Sequence, residues 1–205
     1  MARIEKATLE PSKAELLGAW LSTQAWAPAG EPEIIAAYRF DDPAGKVGIE
    51  SFLLAVGDRT LHVPLSYREA PLDGAAEIGT MAHSVLGRRW VYDGCTDPVA
   101  VRAFLVAMAT GGQEAALEVY DGDQLLAVRD PEVRVSGSGG AAAGSVPAFD
   151  QVEVRALGES ATVVAGGHRI DVLRVVDGAE LTGEITLTGR WRDRSAVLAA
   201  ASRLA

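Results

Sequence analysis

The sequence predicts an α+β fold in which helices cover an antiparallel sheet and a β-rich second half follows. Three observations carry this. A capping box opens an early amphipathic helix, short alternating strands joined by tight turns come next, and an Asp-Pro pair opens a second helix. Beyond Gly112 the apolar pattern is almost entirely that of strands.

The first helix begins where Ser12 is followed three residues later by Glu15, with Pro11 just ahead. Leu16, Leu17, Trp20 and Leu21 then recur at helical spacing to about Thr23, which predicts that the Trp20 face lies on a sheet. Residues 34–40 and 47–56 read as strands separated by the D-D-P-A-G turn at 41–45. Asp58 and Arg59 fit a hairpin turn into a strand over 60–66. The Pro, Gly and Asp residues over 70–79 predict a loop, and 86–92 another strand. Asp97 is placed to cap a helix with Pro98 at its first position, where the missing amide hydrogen costs nothing, and Gly111 to end it. Val101, Phe104, Leu105 and Met108 give this helix one apolar stripe.

Residues 115–120, 124–129 and 132–135 continue as strands, with D-G-D at 121–123 as a hairpin turn. The small-residue run SGSGGAAAGSVP at 136–147 has no periodicity and reads as a flexible connector. Strands resume at 151–156, 161–165, 169–175, 184–188 and 196–201, with a turn at Gly166, Gly167 and His168. The expected division is therefore 1–112 and 113–205, with the linker at 136–147 inside the second unit.

A 48% hydrophobic content with 23% charged residues argues against disorder. The 19 basic and 28 acidic residues give a net charge of −9, which opposes general binding to nucleic acid or to anionic membranes. No apolar run approaches the roughly 20 residues needed to span a bilayer. The charged opening MARIEKATLEPSK lacks the apolar run of a secretory signal, so the cytoplasm is the expected location.

Several short motifs stand in a telling order. They are W-L-x-x-Q-x-W at 20–26, P-L-S-Y-R at 64–68, A-P-L-x-G at 70–74, I-G at 78–79, W-V-Y-D-G at 90–94 and D-P at 97–98. In this order the segment resembles the N-terminal cap of maltokinases and of their trehalose-synthase fusions, although Ala25 stands where a basic residue is usual. The resemblance implies a cystatin-like curved antiparallel sheet with packed helices for 1–112. For the rest it implies a remnant like the N-lobe of a kinase. LGESATVV at 157–164 followed by HRIDVLRVV at 168–176 looks like a decayed copy of the family's glycine-containing segment and the strand after it. Val172 then stands where a lysine would contact nucleotide phosphate, and valine supplies no positive charge. The later kinase elements find no counterpart before Ala205. No cofactor is expected, and kinase chemistry is unsupported.

Gly137, Gly139 and Gly140 follow a strand as a phosphate-binding loop would, but no helix or lysine comes after them, which favours a linker. His62, His83 and His168 lie far apart without metal-ligand spacing, and His62 is expected on the solvent face of its strand. His83, Arg88, Arg89, Trp90, Tyr92 and Asp93 combine aromatic and hydrogen-bonding groups suited to a sugar ring. Their structural alternative has Trp90 and Tyr92 in the core and Arg89 paired with Asp93 at the surface. Cys95 reads as a passive small residue, and Asp121, Asp123 and Asp130 as turn residues.

The leading functional expectation is a non-catalytic interaction or regulatory module of α-glucan, maltose or trehalose metabolism. It would bind an enzyme of that metabolism or a second copy of itself through a sheet edge or through the apolar side of the second helix. The alternative is a protein that binds a sugar or sugar phosphate on the concave face of the sheet.

Overall fold

The computed structural model describes residues 2–142, 144–178 and 180–204. Strands β1 (Ala2–Glu5) and β2 (Leu9–Glu10) precede α1 (Lys13–Leu21), and β3 (Glu33–Phe40), β4 (Gly48–Val56), β5 (Arg59–Arg68), β6 (Glu77–His83) and β7 (Gly87–Asp93) follow. A 3₁₀ turn, Gly94–Thr96, leads into α2 (Pro98–Thr110). The second half is β8 (Leu117–Asp121), β9 (Gln124–Arg129), β10 (Arg134–Gly137), β11 (Glu153–Leu157), β12 (Ser160–Ala165), β13 (His168–Leu173), β14 (Ile185–Trp191) and β15 (Arg194–Arg203). Two helices on antiparallel sheets is thus the plan, with strands far outnumbering helical turns.

The sheets divide the strands cleanly. The first has the order β2-β6-β7-β5-β4-β3 and the second β10-β14-β15-β13-β12-β11. The third is β1-β8-β9, in which β1 joins β8 in parallel. The central strands of the first sheet, β4 and β5, are buried on both faces. Phe52, Leu54 and Val56 of β4, with Leu61, Val63 and Leu65 of β5, pack under Leu16, Leu17 and Leu21 of α1. Ile49 and Leu53 point the other way, into a larger core with Phe104, Leu105 and Met108 of α2 and the inner residues of the second sheet. A strand covered on both sides needs no polar face, which is why G-I-E-S-F-L-L-A-V is so apolar.

Both helices start as their sequences dictate. Ser12 and Glu15 form the full reciprocal capping box of α1, and Asp97 accepts the amide of Val99 with Pro98 at the first turn of α2. Gly111 ends α2 at φ +69°, a left-handed conformation that glycine adopts at little cost.

Four expectations change. Residues 77–83 form a strand, β6, where a loop was expected up to 79 and no strand before 86; a register shift at Gly79 breaks its alternation. His62 does not face solvent: it is fully buried because α2 and the second sheet cover that face of β5. The apolar side of α2 is consumed by the core, with Phe104, Leu105 and Met108 at most 2% exposed, so it offers no contact to a partner. The glycine-rich segment is tied down along α2 at both ends. Ser136 and Gly137 finish β10, the amides of Gly139 and Ala141 donate to the carbonyls of Met108 and Ala109, and Arg102 donates to the carbonyls of Val146 and Pro147. Ala143 of that segment lies outside the described residues.

Gly137 and Gly139 are glycines for a steric reason. A Cβ on Gly137 would stand 1.9 Å from the Ala107 oxygen, and one on Gly139 2.2 Å from the Ala109 oxygen. The amides of Gly139 and Ala141 satisfy carbonyls in the last turn of α2, the negative end of the helix dipole, which repels anions, while Gly137 donates to the Gly112 carbonyl just beyond it. A phosphate-binding loop sits at the opposite end of a helix.

Candidate functional site

Most of the motif residues hold one another. Ser66 and Arg68 of β5 both reach the carboxylate of Asp97. The Ser66 hydroxyl donates at 2.6 Å, and the Arg68 guanidinium donates in a two-point fork at 2.7 Å on each arm. Burial pushes the Asp97 carboxyl upward, but Arg68, Ser66 and the Val99 amide outweigh it and hold the group below the usual range. The Tyr92 hydroxyl accepts the amide of Leu72 at 2.8 Å, which anchors the 70–74 loop, and Gly94 allows its backbone to approach Pro64 closely.

At the other end of this network a fully buried arginine, Arg174, enters from the second half. It pairs with Asp93 and stands 5.8 Å from the ring centre of Trp20 and 5.0 Å from that of Trp26, which meet each other edge to face. The ring faces and the carboxylate offset part of the hydration that a guanidinium loses on burial, while its Nε and Nη1 have no hydrogen-bond partner among the described residues. Beside it, His62 bridges the halves. Its Nδ1 lies 2.9 Å from the Leu173 carbonyl, which can only accept, so Nδ1 carries the proton and Nε2 accepts from the Tyr38 hydroxyl at 2.9 Å. Burial, opposed by the Leu173 carbonyl and reinforced by Arg174, lowers the imidazole to about 4. The backbone joins here too, since His62 donates to Arg174 and Val176 to Thr60.

An open cleft of about 740 Å³ lies on the α1 side of the first sheet. Beneath it Glu50, 6% exposed, accepts from Lys13 at 2.6 Å, from the Tyr67 hydroxyl at 2.9 Å and from two nitrogens of Arg39 at 2.9 and 3.1 Å. Burial would raise the Glu50 carboxyl, but Arg39 and Lys13 overcome it and keep the group ionised. Burial lowers Lys13 against the opposing pull of Glu50. The apolar walls include Leu9, Val47, Met81 and Leu86, and charges of both signs stand around them.

The six residues proposed for sugar contact do not share one surface. His83 and Arg89 line the cleft, Arg88 and His83 border a smaller hollow near Ser84, and Arg88 stacks on Trp90 at 5.9 Å. His83 Nδ1 accepts the amides of Val85 and Leu86, turning the β6–β7 hairpin, and burial lowers its imidazole. Tyr92 and Asp93 are 1% exposed and face inward. Asp93 pairs with Arg174, and Arg89 donates to the Leu86 carbonyl, so the expected Arg89–Asp93 surface pair does not form. Cys95 is buried, and burial, with Asp93 nearby, pushes its thiol up. No group of three His, Cys, Asp or Glu among the described residues is arranged to hold a metal ion, and no described helix is long and apolar enough to cross a membrane.

The motif network extends from Trp20 to Asp97, and the family model described as the maltokinase N-terminal cap domain matches residues 20–97. Over that stretch the chain is similar to the maltokinase N-terminal cap domain. No curated protein and no solved structure matches it. The matched stretch opens inside α1 and closes on the N-cap of α2, so it takes in β3 to β7. In this cap-like protein the motifs are therefore a structural network, in which Trp20, Trp26 and Asp93 form a receptor for Arg174.

Sequence reasoning missed Arg174, Lys13, Arg39, Glu50 and Tyr67 as members of clusters. One signal was present: Arg174 and Glu50 are single charges inside apolar runs, V-L-R-V-V and G-I-E-S-F-L-L. A charge in such a run is buried with its strand and must have a partner.

Proposed function

We propose that this protein is a cytoplasmic, non-catalytic interaction or regulatory module of maltose, trehalose or α-glucan metabolism. The match over residues 20–97 carries the reading. On this reading residues 1–112 are a cap with a cystatin-like plan and 113–205 a β-rich remnant of a kinase N-lobe. The first sheet lies wholly within 1–112 and the second wholly within 113–205, which supports the division, and the third sheet ties the two units together by pairing β1 with β8. Val172, aligned with the phosphate-contacting lysine, is 3% exposed in the main core, which supports a packing role for its strand.

The surface this reading uses is the edge strand β9. All six of its residues are exposed, with Leu125 and Leu126 at 46% and Val128 at 63%, and apolar side chains stand on both of its faces. A strand of this kind is suited to pairing with a strand of an enzyme of that metabolism. Affinity capture with the full chain as bait is expected to recover such an enzyme, and Val128→Glu to lose it while leaving thermal stability unchanged. Recovery of no glucan, maltose or trehalose enzyme, or equal recovery by the variant, overturns the reading or its surface.

A second reading is favoured by the cleft beside α1, whose volume lies in the usual range for small-molecule sites. There the chain binds a sugar or sugar phosphate, with His83 and Arg89 contributing from the wall. Of the other suggested contacts, Arg88 and Trp90 would act from the neighbouring hairpin, and Tyr92 and Asp93 only by holding β7 in place.

A further inference from the structure

We infer that the cleft beside α1 takes a neutral, hydroxyl-rich small molecule and discriminates against its phosphorylated form. The inference rests on the second reading above and decides between the two ligand types it leaves open.

The balance of charge points to this. Lys13, Arg39, Lys46 and Arg89 line the cleft, but so do four carboxylates, those of Glu5, Asp41, Asp42 and Glu69. Glu50 lies beneath and already engages both Lys13 and Arg39, adding a fifth carboxylate against the four cations. A phosphate dianion entering here finds its best cations already neutralised and carboxylates around it, within a chain of net charge −9. A hydroxyl group fits the same surroundings. It donates to a carboxylate and accepts from an ammonium or guanidinium, so mixed signs in near balance satisfy both of its roles. Lys13 gives one of its three donors to Glu50 and is 24% exposed at the cleft floor. Leu9, Val47 and Met81 supply apolar wall for the C–H faces of a ring.

The test is an amide-shift titration of the ¹⁵N-labelled full chain with maltose, trehalose, glucose 6-phosphate and inorganic phosphate at millimolar concentrations. Shifts of Gly45, Lys46, Val47, Tyr67 and Glu69 with a neutral disaccharide, at lower concentration than with either phosphate, are the expected result. Lys46 and Glu69 are exposed rim residues, so Lys46→Ala and Glu69→Ala leave the fold intact and are each expected to weaken binding about threefold or more. Cleft shifts produced preferentially by glucose 6-phosphate overturn the inference while leaving the ligand-binding reading in place. Cleft residues that stay still with all four probes overturn both.

Discussion

Acidification from pH 7 to pH 5 will destabilise this protein chiefly through one residue, His62. In the unfolded chain its imidazole titrates near the ordinary value of about 6.5, whereas in the folded state burial brings it to about 4. Between these values the unfolded state holds a proton that the folded state refuses. Stability is therefore full above the unfolded pKa and declines as the pH falls toward the folded one. For these two values the loss between pH 7 and pH 5 is about 2 kcal/mol, and it approaches about 3 kcal/mol at pH 4. The cause is specific, because a second proton on the ring would set Nε2–H against the Tyr38 hydroxyl that now donates to it. Asp97 and Glu50, held below the ordinary carboxylate range, lose their contributions only at lower pH, so the 5–7 window isolates histidine. Guanidinium unfolding at pH 7 and pH 5 is expected to show the loss in wild type and to show most of it removed in His62→Gln. His83, half-exposed and lowered in the same direction, leaves a smaller residue of the slope. An NMR titration reads His62 directly even where the variant folds poorly. Protonation of His62 near pH 6.5 in the folded protein would refute the reasoning.

Arg174→Met leaves Asp93 buried without its partner and is expected to cost about 3–5 kcal/mol. Equilibrium unfolding measures the cost, and a red-shifted tryptophan emission reports the loosened contact at Trp20 and Trp26. Ser12→Ala removes the α1 cap and is expected to cost about 1 kcal/mol, read as a lower denaturant midpoint. Gly137→Ala is expected to lower the thermal midpoint severely, because its Cβ would overlap the Ala107 oxygen. Gly140→Ala, with nothing within 4 Å of its Cβ, should leave the midpoint unchanged, and equal effects of the two would show that the segment does not lie along α2.

Local chemistry made the helices legible. Ser12, Glu15, Asp97, Pro98 and Gly111 act within a few residues of themselves, so their roles follow from spacing. Most strands were legible for the same reason, and β6 was not, since Gly79 shifts its register and the loop before it is rich in turn residues. What could not be read was which faces the fold would cover. His62, Pro64 and Ser66 alternate with Leu61, Val63 and Leu65, a pattern that on a one-sided sheet puts the histidine in water. The second sheet and α2, brought from later in the chain, bury that face and turn its polar groups into a network. The cleft was hidden likewise, because Lys13, Arg39, Glu50 and Tyr67 come from α1, β3, β4 and β5 and meet only after the sheet has formed. The cap-like motifs were visible as an ordered pattern, yet their physical meaning as a mutual clasp depended on Arg174, far outside them.

The parallel pairing of β1 with β8 has a kinetic consequence. Ala2 lies beside Leu117, so β1 finds its ladder only after 115 further positions have been made. At ordinary rates of synthesis that interval is roughly 5–20 s, long compared with the microseconds in which a hairpin such as β8–β9 closes. Residues 2–5 must therefore wait, unpaired, while β3, β4 and β5 are made behind them, and β1 docks only once β8 is available, onto an edge built without it.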